Sequence, residues 1–182
     1  MSEEKTYLSV ITTPVGELVY PRLTSPDTRY DPDGVYQTKL LLPFENAQEL
    51  IAELEGIRDA FIQTLDIKVQ KTYTPKPVYE EELDEDGNAT GNVLFKFKLK
   101  AKVTKGDGET FTQSPVVVMA EDGSAVTDLV YGGTMARLKA QVAPYTMASS
   151  KTAGLTLRVR SCQVHELVTG GGDAGAFWSK YD

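Results

Sequence analysis

The chain reads as a mainly β protein, an antiparallel barrel or sandwich of short strands with one inserted helix. Three observations point there. Short alternating or apolar runs recur along the chain, each bounded by Gly, Pro, Asp or Asn. Helical spacing of apolar residues is convincing in one stretch only, residues 44 to 65. The composition, 41% hydrophobic and 25% charged over 182 residues, is that of a globular domain with one sizeable core.

Taken in order, residues 6 to 23 give two strands bracketing a turn at Pro14 and Gly16, and residues 25 to 34 give a loop dense in Pro, Asp and Gly. Residues 35 to 42 are the next strand. In the helix, Ala47, Leu50, Ile51, Leu54, Ile57, Phe61, Ile62 and Leu65 share one face, with Asn46 as N-cap and Glu49 three residues on. A short run over 68 to 73, a break at Pro75 and Pro77 and an acidic hairpin loop over 80 to 92 follow. Strands then begin at Val93 and occupy 114 to 120, 134 to 145 and 154 to 167. From Thr169 the composition turns glycine-rich, which divides the chain into one domain, residues 1 to 168, and a flexible aromatic C-terminal tail, residues 169 to 182.

The formal net charge of −7 hides a segregation of sign. Residues 80 to 92 hold six acids and no base, whereas residues 93 to 105 hold five lysines and no acid. Binding of an anion responds to such local patches more than to the total. In a strand, Lys96, Lys98, Lys100 and Lys102 share one face while Phe95, Phe97, Leu99 and Ala101 share the other. The apolar row is the core side. The lysine row is either a solvated face that protects a sheet edge, a partner for the acidic loop before it, or a contact for a phosphodiester backbone. Two further strands repeat the pattern, with Arg137 and Lys139 two apart and Arg158 and Arg160 two apart.

Catalytic arrangements fail on geometry. Cys162 and His165 are three apart on a strand and point to opposite faces, so they make no thiolate–imidazole pair, and Cys162 reads as a small packing residue. One histidine and one cysteine cannot build a zinc site of nitrogen and sulfur ligands in a monomer. The segment from Asp84 has Ala89 where a calcium loop needs glycine and Phe95 where it needs a bidentate acid. Gly132 and Gly133 lack the Lys-Ser or Lys-Thr of a phosphate loop and read as turn glycines. The reading is therefore no enzyme, no metal and no cofactor. Tyrosine is abundant, nine residues, and Tyr20, Tyr36 and Tyr145 stand on or beside strands near Arg22, Lys39 and Lys139. Rings beside a basic groove are what stacks the bases of a single strand.

The order of residues 18 to 26, 34 to 43 and the helix, then 132 to 145 and 153 to 167, resembles the single-stranded DNA-binding proteins of tailed bacteriophages. The resemblance covers most of residues 7 to 168 and implies an OB-fold barrel. It also implies sequence-tolerant binding of single-stranded DNA in replication, recombination and repair. Carried over by position, Tyr20, Arg22, Tyr36, Lys39, Arg137, Lys139, Tyr145, Arg158 and Arg160 join the lysine row as candidate DNA contacts.

Members of this group often end in a strongly acidic tail that recruits replication enzymes and competes with DNA. Here the tail carries Phe177, Trp178 and Tyr181 with only Asp173 and Asp182 against Lys180, so the acids of residues 80 to 86 are the alternative source of competing charge. The expected partners are single-stranded DNA, replication enzymes through the tail and a second copy of the chain. No apolar run approaches the roughly 20 residues that span a bilayer, and the N-terminus is acidic and polar. With a single cysteine, these features place the protein in a reducing cytoplasm, that of the bacterial host if phage-encoded. Two rivals make different predictions: a virion or scaffold β-domain would self-associate without binding nucleic acid, and a strand-annealing or polymerase accessory protein would accelerate annealing.

Overall fold

Alternation of burial along two long strands organises the molecule, whose computed structural model describes residues 9–29, 32–104, 108–112, 116–126 and 130–167. The described residues form β1 (Ser9–Thr12), β2 (Gly16–Asp27), β3 (Val35–Pro43), helices α1 (Phe44–Gln63) and α2 (Ile67–Thr72), β4 (Thr74–Pro75), β5 (Glu80–Leu83) and β6 (Ala89–Lys100). They continue with β7 (Lys102–Thr104), β8 (Thr110–Thr112), β9 (Val117–Ala120), β10 (Met135–Met147) and β11 (Thr152–Glu166). The tail, residues 169 to 182, lies outside the described residues.

β2 pairs antiparallel with β3, β3 with β6, and β10 with both β11 and β2, while β11 runs parallel to β6. The ladder therefore returns to its start as a closed five-stranded barrel in the order β2-β3-β6-β11-β10. This bears out the barrel and the OB-fold class. Closure leaves no free edge within the barrel itself. It is narrow at two seams: Phe97 against Leu157 between β6 and β11, and Met135 and Ala136 against Glu17 and Gly16 between β10 and β2. At the margins, β1 lies along β10, β5 along β6, and β4 and β9 along β11.

The inward residues are those the alternation selects. Tyr36, Thr38, Leu40 and Leu42 of β3 face Val93, Phe95, Phe97 and Leu99 of β6 across the barrel lining, all buried. Cys162 is buried with them, and burial pushes its thiol up to about 12, so it is a packing group with little thiolate. His165 is exposed, on the other face of β11, as their spacing requires.

The helix begins earlier than its capping signal suggests. β3 runs straight into α1, and Pro43, the last strand residue, is the N-cap with no side-chain cap bond. Its fixed φ of −58° suits a strand-to-helix corner, which leaves Asn46 inside the first turn. Ala47, Leu50, Ile51 and Leu54 are buried and Ile57 packs partly against the core, while Phe61, Ile62 and Leu65 are only half-buried. The strand-like reading of residues 68 to 73 is corrected to the short helix α2. The Asp66 carboxylate accepts from the Lys68 N–H, and the Gln70 amide caps the carbonyls of Gln63 and Leu65. One turn and a half is too short to show a period. β2 also runs to Asp27, three residues into the segment read as loop.

Gly16 opens β2 at the narrow seam. A methyl group there would stand 2.6 Å from the Leu41 carbonyl oxygen and 2.7 Å from Leu42 Cδ2. Gly16→Ala is therefore expected to lower the unfolding free energy by about 1–3 kcal/mol, read by urea denaturation. Gly56→Ala, on the exposed face of α1 with nothing within 4 Å, is expected to raise it by about 0.5–1 kcal/mol in the same assay.

Candidate nucleic-acid interface

The outer face of β2, β3 and β6 gathers positive charge in register. Arg22, Gln37 and Lys98 form one cross-strand row, and Val19, Lys39 and Lys96 the next. Lys96, Lys98 and Lys100 are exposed while the residues between them are buried. Lys39 and Lys96 stand directly opposite each other, a like-charge pair of the kind that destabilises a ladder. Their relief is local: Glu80 of β5 approaches Lys39 Nζ at 3.7 Å, and β5 is held there by pairing of Glu80 and Glu81 with Leu94 and Val93. Part of the acidic segment thus leans on the basic face. The rest turns away as a tight loop, in which the Asp84 carboxylate accepts from the N–H groups of Asp86 and Asn88 at 2.9 Å each.

Lys96 and Lys98 also form one wall of an open groove of about 440 Å³. Its floor is apolar, with Leu94, Leu155 and Leu157, and Tyr145, Met147, Lys76, Tyr79 and Glu80 also line it. Tyr145 of β10 is paired with Gly154 of β11, where a methyl group would meet the phenol oxygen at 2.9 Å and Lys76 Cβ at 3.1 Å. The bare glycine is what lets the ring lie across the strand and into the groove rim. A half-buried aromatic, an apolar floor and three ammonium groups, set against the single Glu80 carboxylate, can hold a base and the phosphates beside it.

Tyr20 is set differently. Between the Val19–Lys39 and Arg22–Gln37 pairs β2 has one residue more than β3, a β-bulge, and Tyr20 within it has φ +49°. Left-handed backbone costs a non-glycine residue of order 1–3 kcal/mol. The ring points outward and is 85% exposed.

Two candidates are corrected. Tyr36 is 5% exposed, because its position on β3 falls in the inward phase, so its ring is core and offers no stacking surface. Lys102 does not continue the lysine row: the strand breaks at Ala101, whose N–H donates to the Gly34 carbonyl, and Lys102 opens β7, paired with β8 in a separate sheet.

The remaining cations are spread along β10 and β11. Arg158 is exposed one residue beyond the Phe97–Leu157 seam, as Lys98 is on the other strand, so it stands next to Lys98 just past the groove lining. Arg160 sits at a second bulge, unopposed between the Lys139–Ser161 and Ala140–Val159 pairs, and its Nε donates to the Gln141 amide oxygen at 2.7 Å. Burial, then the nearby Arg158 charge, draw its guanidinium down from the ordinary value. Arg137, which donates to Gln163, and Lys139 are exposed toward the other end of β10. Six to eight residues separate them from Tyr145, roughly 20–27 Å of strand, so they lie outside the groove.

The loop between β2 and β3 is rooted by Asp27. Its carboxylate accepts from the Arg29 backbone N–H, from Arg29 Nε and Nη2, and from Gln37 Nε2, at 2.9–3.1 Å. The Arg29 guanidinium, then its N–H, hold Asp27 well below the usual carboxylate range. Lys76, Met147 and the apolar floor escape a reading of the sequence alone. Lys76 lies between two prolines in a segment without periodicity, and only the tertiary fold carries it to Tyr145.

No family model matches the chain. In sequence it is similar to the single-stranded DNA-binding protein of Enterobacteria phage T3, 24% identical over 160 residues, which is 82% of this chain and 69% of that protein. The single-stranded DNA-binding protein of Escherichia phage T7 is 25% identical over 153 residues, 78% of this chain and 66% of that protein. In structure it resembles gp2.5, a single-stranded DNA binding protein encoded by bacteriophage T7, with a TM-score of 0.68 at 22% identity, over 96% of this chain and 98% of that one. It also resembles the single-stranded DNA-binding protein of bacteriophage Enc34 in complex with ssDNA, with a TM-score of 0.60 at 12% identity, over 93% and 99%. The resemblance read from the sequence motifs is borne out.

Two measurements probe this architecture. Asp27's folded value lies below its unfolded one, so its contribution to stability is complete above about pH 4 and is lost as pH falls through the folded value. Asp27→Asn is expected to lower the urea midpoint at neutral pH and to leave a flatter decline below pH ~4 than the parent chain shows. Gly154→Ala is expected to displace the Tyr145 ring, visible as a changed near-ultraviolet tyrosine dichroism, with less than about 3 kcal/mol lost in stability.

Proposed function

We propose that the chain binds single-stranded DNA without base-sequence preference and without catalysis, acting in phage DNA replication, recombination and repair. The observation that supports this most is the registered basic face beside the Tyr145 groove. In a five-stranded OB barrel the face of the second and third strands is a common oligonucleotide platform, and β3 and β6 hold that place here. Similarity to phage proteins that bind single-stranded DNA points the same way.

In this reading Arg22, Lys39, Lys96, Lys98, Lys100 and Arg158 contact phosphates and release condensed counterions, while Tyr145 stacks on a base. A phosphate between Lys39 and Lys96 replaces Glu80 as the counter-charge. Lys102, Arg137, Lys139 and Arg160 stand farther out and add long-range attraction. The working compartment is the host cytoplasm. Residues 1 to 168 act as the binding domain, residues 169 to 182 as a docking segment for replication enzymes, and a second copy of the chain is a further partner.

The test is fluorescence anisotropy with a labelled oligo-dT of about 30 nucleotides, beside a duplex of equal length, across a salt series. Binding to the single strand is expected to be the tighter and to fall steeply with salt. Changing Lys96, Lys98 and Lys100 together to glutamine is expected to reduce the log–log salt slope by about 2, since each phosphate neutralised on a single strand adds roughly 0.7. No binding at low salt, or equal binding to duplex, would reject the proposal.

A further inference from the structure

Two tyrosines outside the groove are carried by adjoining backbone segments at the far side of the basic face. Tyr20 projects from the β2 bulge, and Tyr131 begins the turn that leads into β10. That turn is packed onto the bulge by backbone. The Gly133 N–H donates to the Leu18 carbonyl at 3.0 Å, and the Leu18 N–H donates to the Thr134 carbonyl at 2.8 Å. The Cβ position of Gly132 lies 3.8 Å from the Tyr20 nitrogen. Gly133, at φ +95°, closes the turn, with the Thr134 N–H on the Tyr131 carbonyl. The outcome is two large rings, 85% and 40% exposed, carried by one rigid corner.

Core packing does not account for this. A ring as exposed as that of Tyr20 gains little from apolar burial, yet its backbone is held left-handed by the bulge. Bulges commonly re-aim a side chain beside a binding site, and strained positions persist where the surroundings over-determine them. The rings are also placed along a line of charge. From Lys96 the registered row crosses Lys39 to Val19, the residue before Tyr20, and Arg22 follows two residues later. β6 and β2 are two strand spacings apart, roughly 10 Å.

We propose that Tyr20 and Tyr131 form a second base-stacking position, and that a single strand seated in the Tyr145 groove crosses Lys96, Lys39 and Arg22 to reach it. The proposal rests on the single-stranded DNA reading and adds to it a direction of travel and a minimum length. A strand long enough to span both aromatic positions gains from both. A very short one is held at the groove alone.

The test compares oligo-dT of about 4 and about 12 nucleotides, within the range one OB barrel covers, on the parent chain and on Tyr20→Gly with Tyr131→Ala. Glycine accepts positive φ without strain, so Tyr20→Gly removes the ring while its thermal midpoint stays level or rises, which separates lost binding from lost folding. The double variant is expected to bind the longer oligonucleotide roughly 10-fold or more weakly and the shorter one nearly as the parent does. Tyr20→Phe is expected to bind both as the parent does, because stacking uses the ring and not the hydroxyl. Unchanged affinity of the double variant for the longer oligonucleotide, or equal losses at both lengths, would overturn the second position. A parent chain that binds neither length rejects the single-stranded DNA reading itself, a result distinct from both.

Discussion

The basic face depends on the register of β6. Nine residues of β3, Val35 to Pro43, are each paired with one residue of β6, and the opposite edge is pinned where Phe97 meets Leu157. Because side chains alternate with a period of two, a slip by one residue would carry Lys96, Lys98 and Lys100 into the barrel and turn Phe95, Phe97 and Leu99 out to water. The one buried carboxylate among the described residues, Asp27, is already held by Arg29 and Gln37. The same pinning that builds the core therefore sets the spacing and sign of the outer face.

Magnitudes show why such a face is tolerated. Neighbouring lysines along β6, about 6.6 Å apart, repel by roughly 0.6 kcal/mol in water. Burying each of the apolar residues between them contributes about 1.5–3 kcal/mol. Burial wins, and the strand forms with its charges crowded. Glu80 offsets part of that crowding at Lys39, but its hold is a half-exposed contact of the kind worth at most about 1 kcal/mol. A chain of phosphates supplies more counter-charge than one carboxylate, and the weakness of the internal pair leaves the face open to exchange.

How far the sequence foretells this differs by element. The long strands are legible because one face is buried and the other wet: β6 and β10 alternate in sequence as they do in burial. Tyr36 misleads because, on a strand with polar and apolar residues mixed, an inward tyrosine looks like an outward one until the phase is known. Lys102 misleads because the alternation runs on past Ala101 while the backbone turns away. The bulges at Tyr20 and Arg160 leave no local signal, since a bulge is a mismatch between two strands and cannot be seen in one. Lys76 and Tyr131 reach their places through the fold alone. Cross-strand neighbours are thus the part of the site that needs coordinates, whereas the residue types do not.

The narrow seam between β10 and β2 also bears on how the protein is made. Gly16 pairs with Ala136, about 120 residues later in the chain. At ribosomal rates of roughly 5–20 residues per second, β2 waits about 6–24 s for the strand that closes its barrel. Over about the last 36 residues of that synthesis, after β6 ends at Lys100, β2, β3 and β6 form an open sheet with Leu40, Phe95 and Phe97 on its inner face. The outer face is by then already studded with lysine, and mutual repulsion between nascent chains opposes their stacking edge to edge. The charge that crowds the finished surface is, in the unfinished one, a guard against aggregation on the polysome.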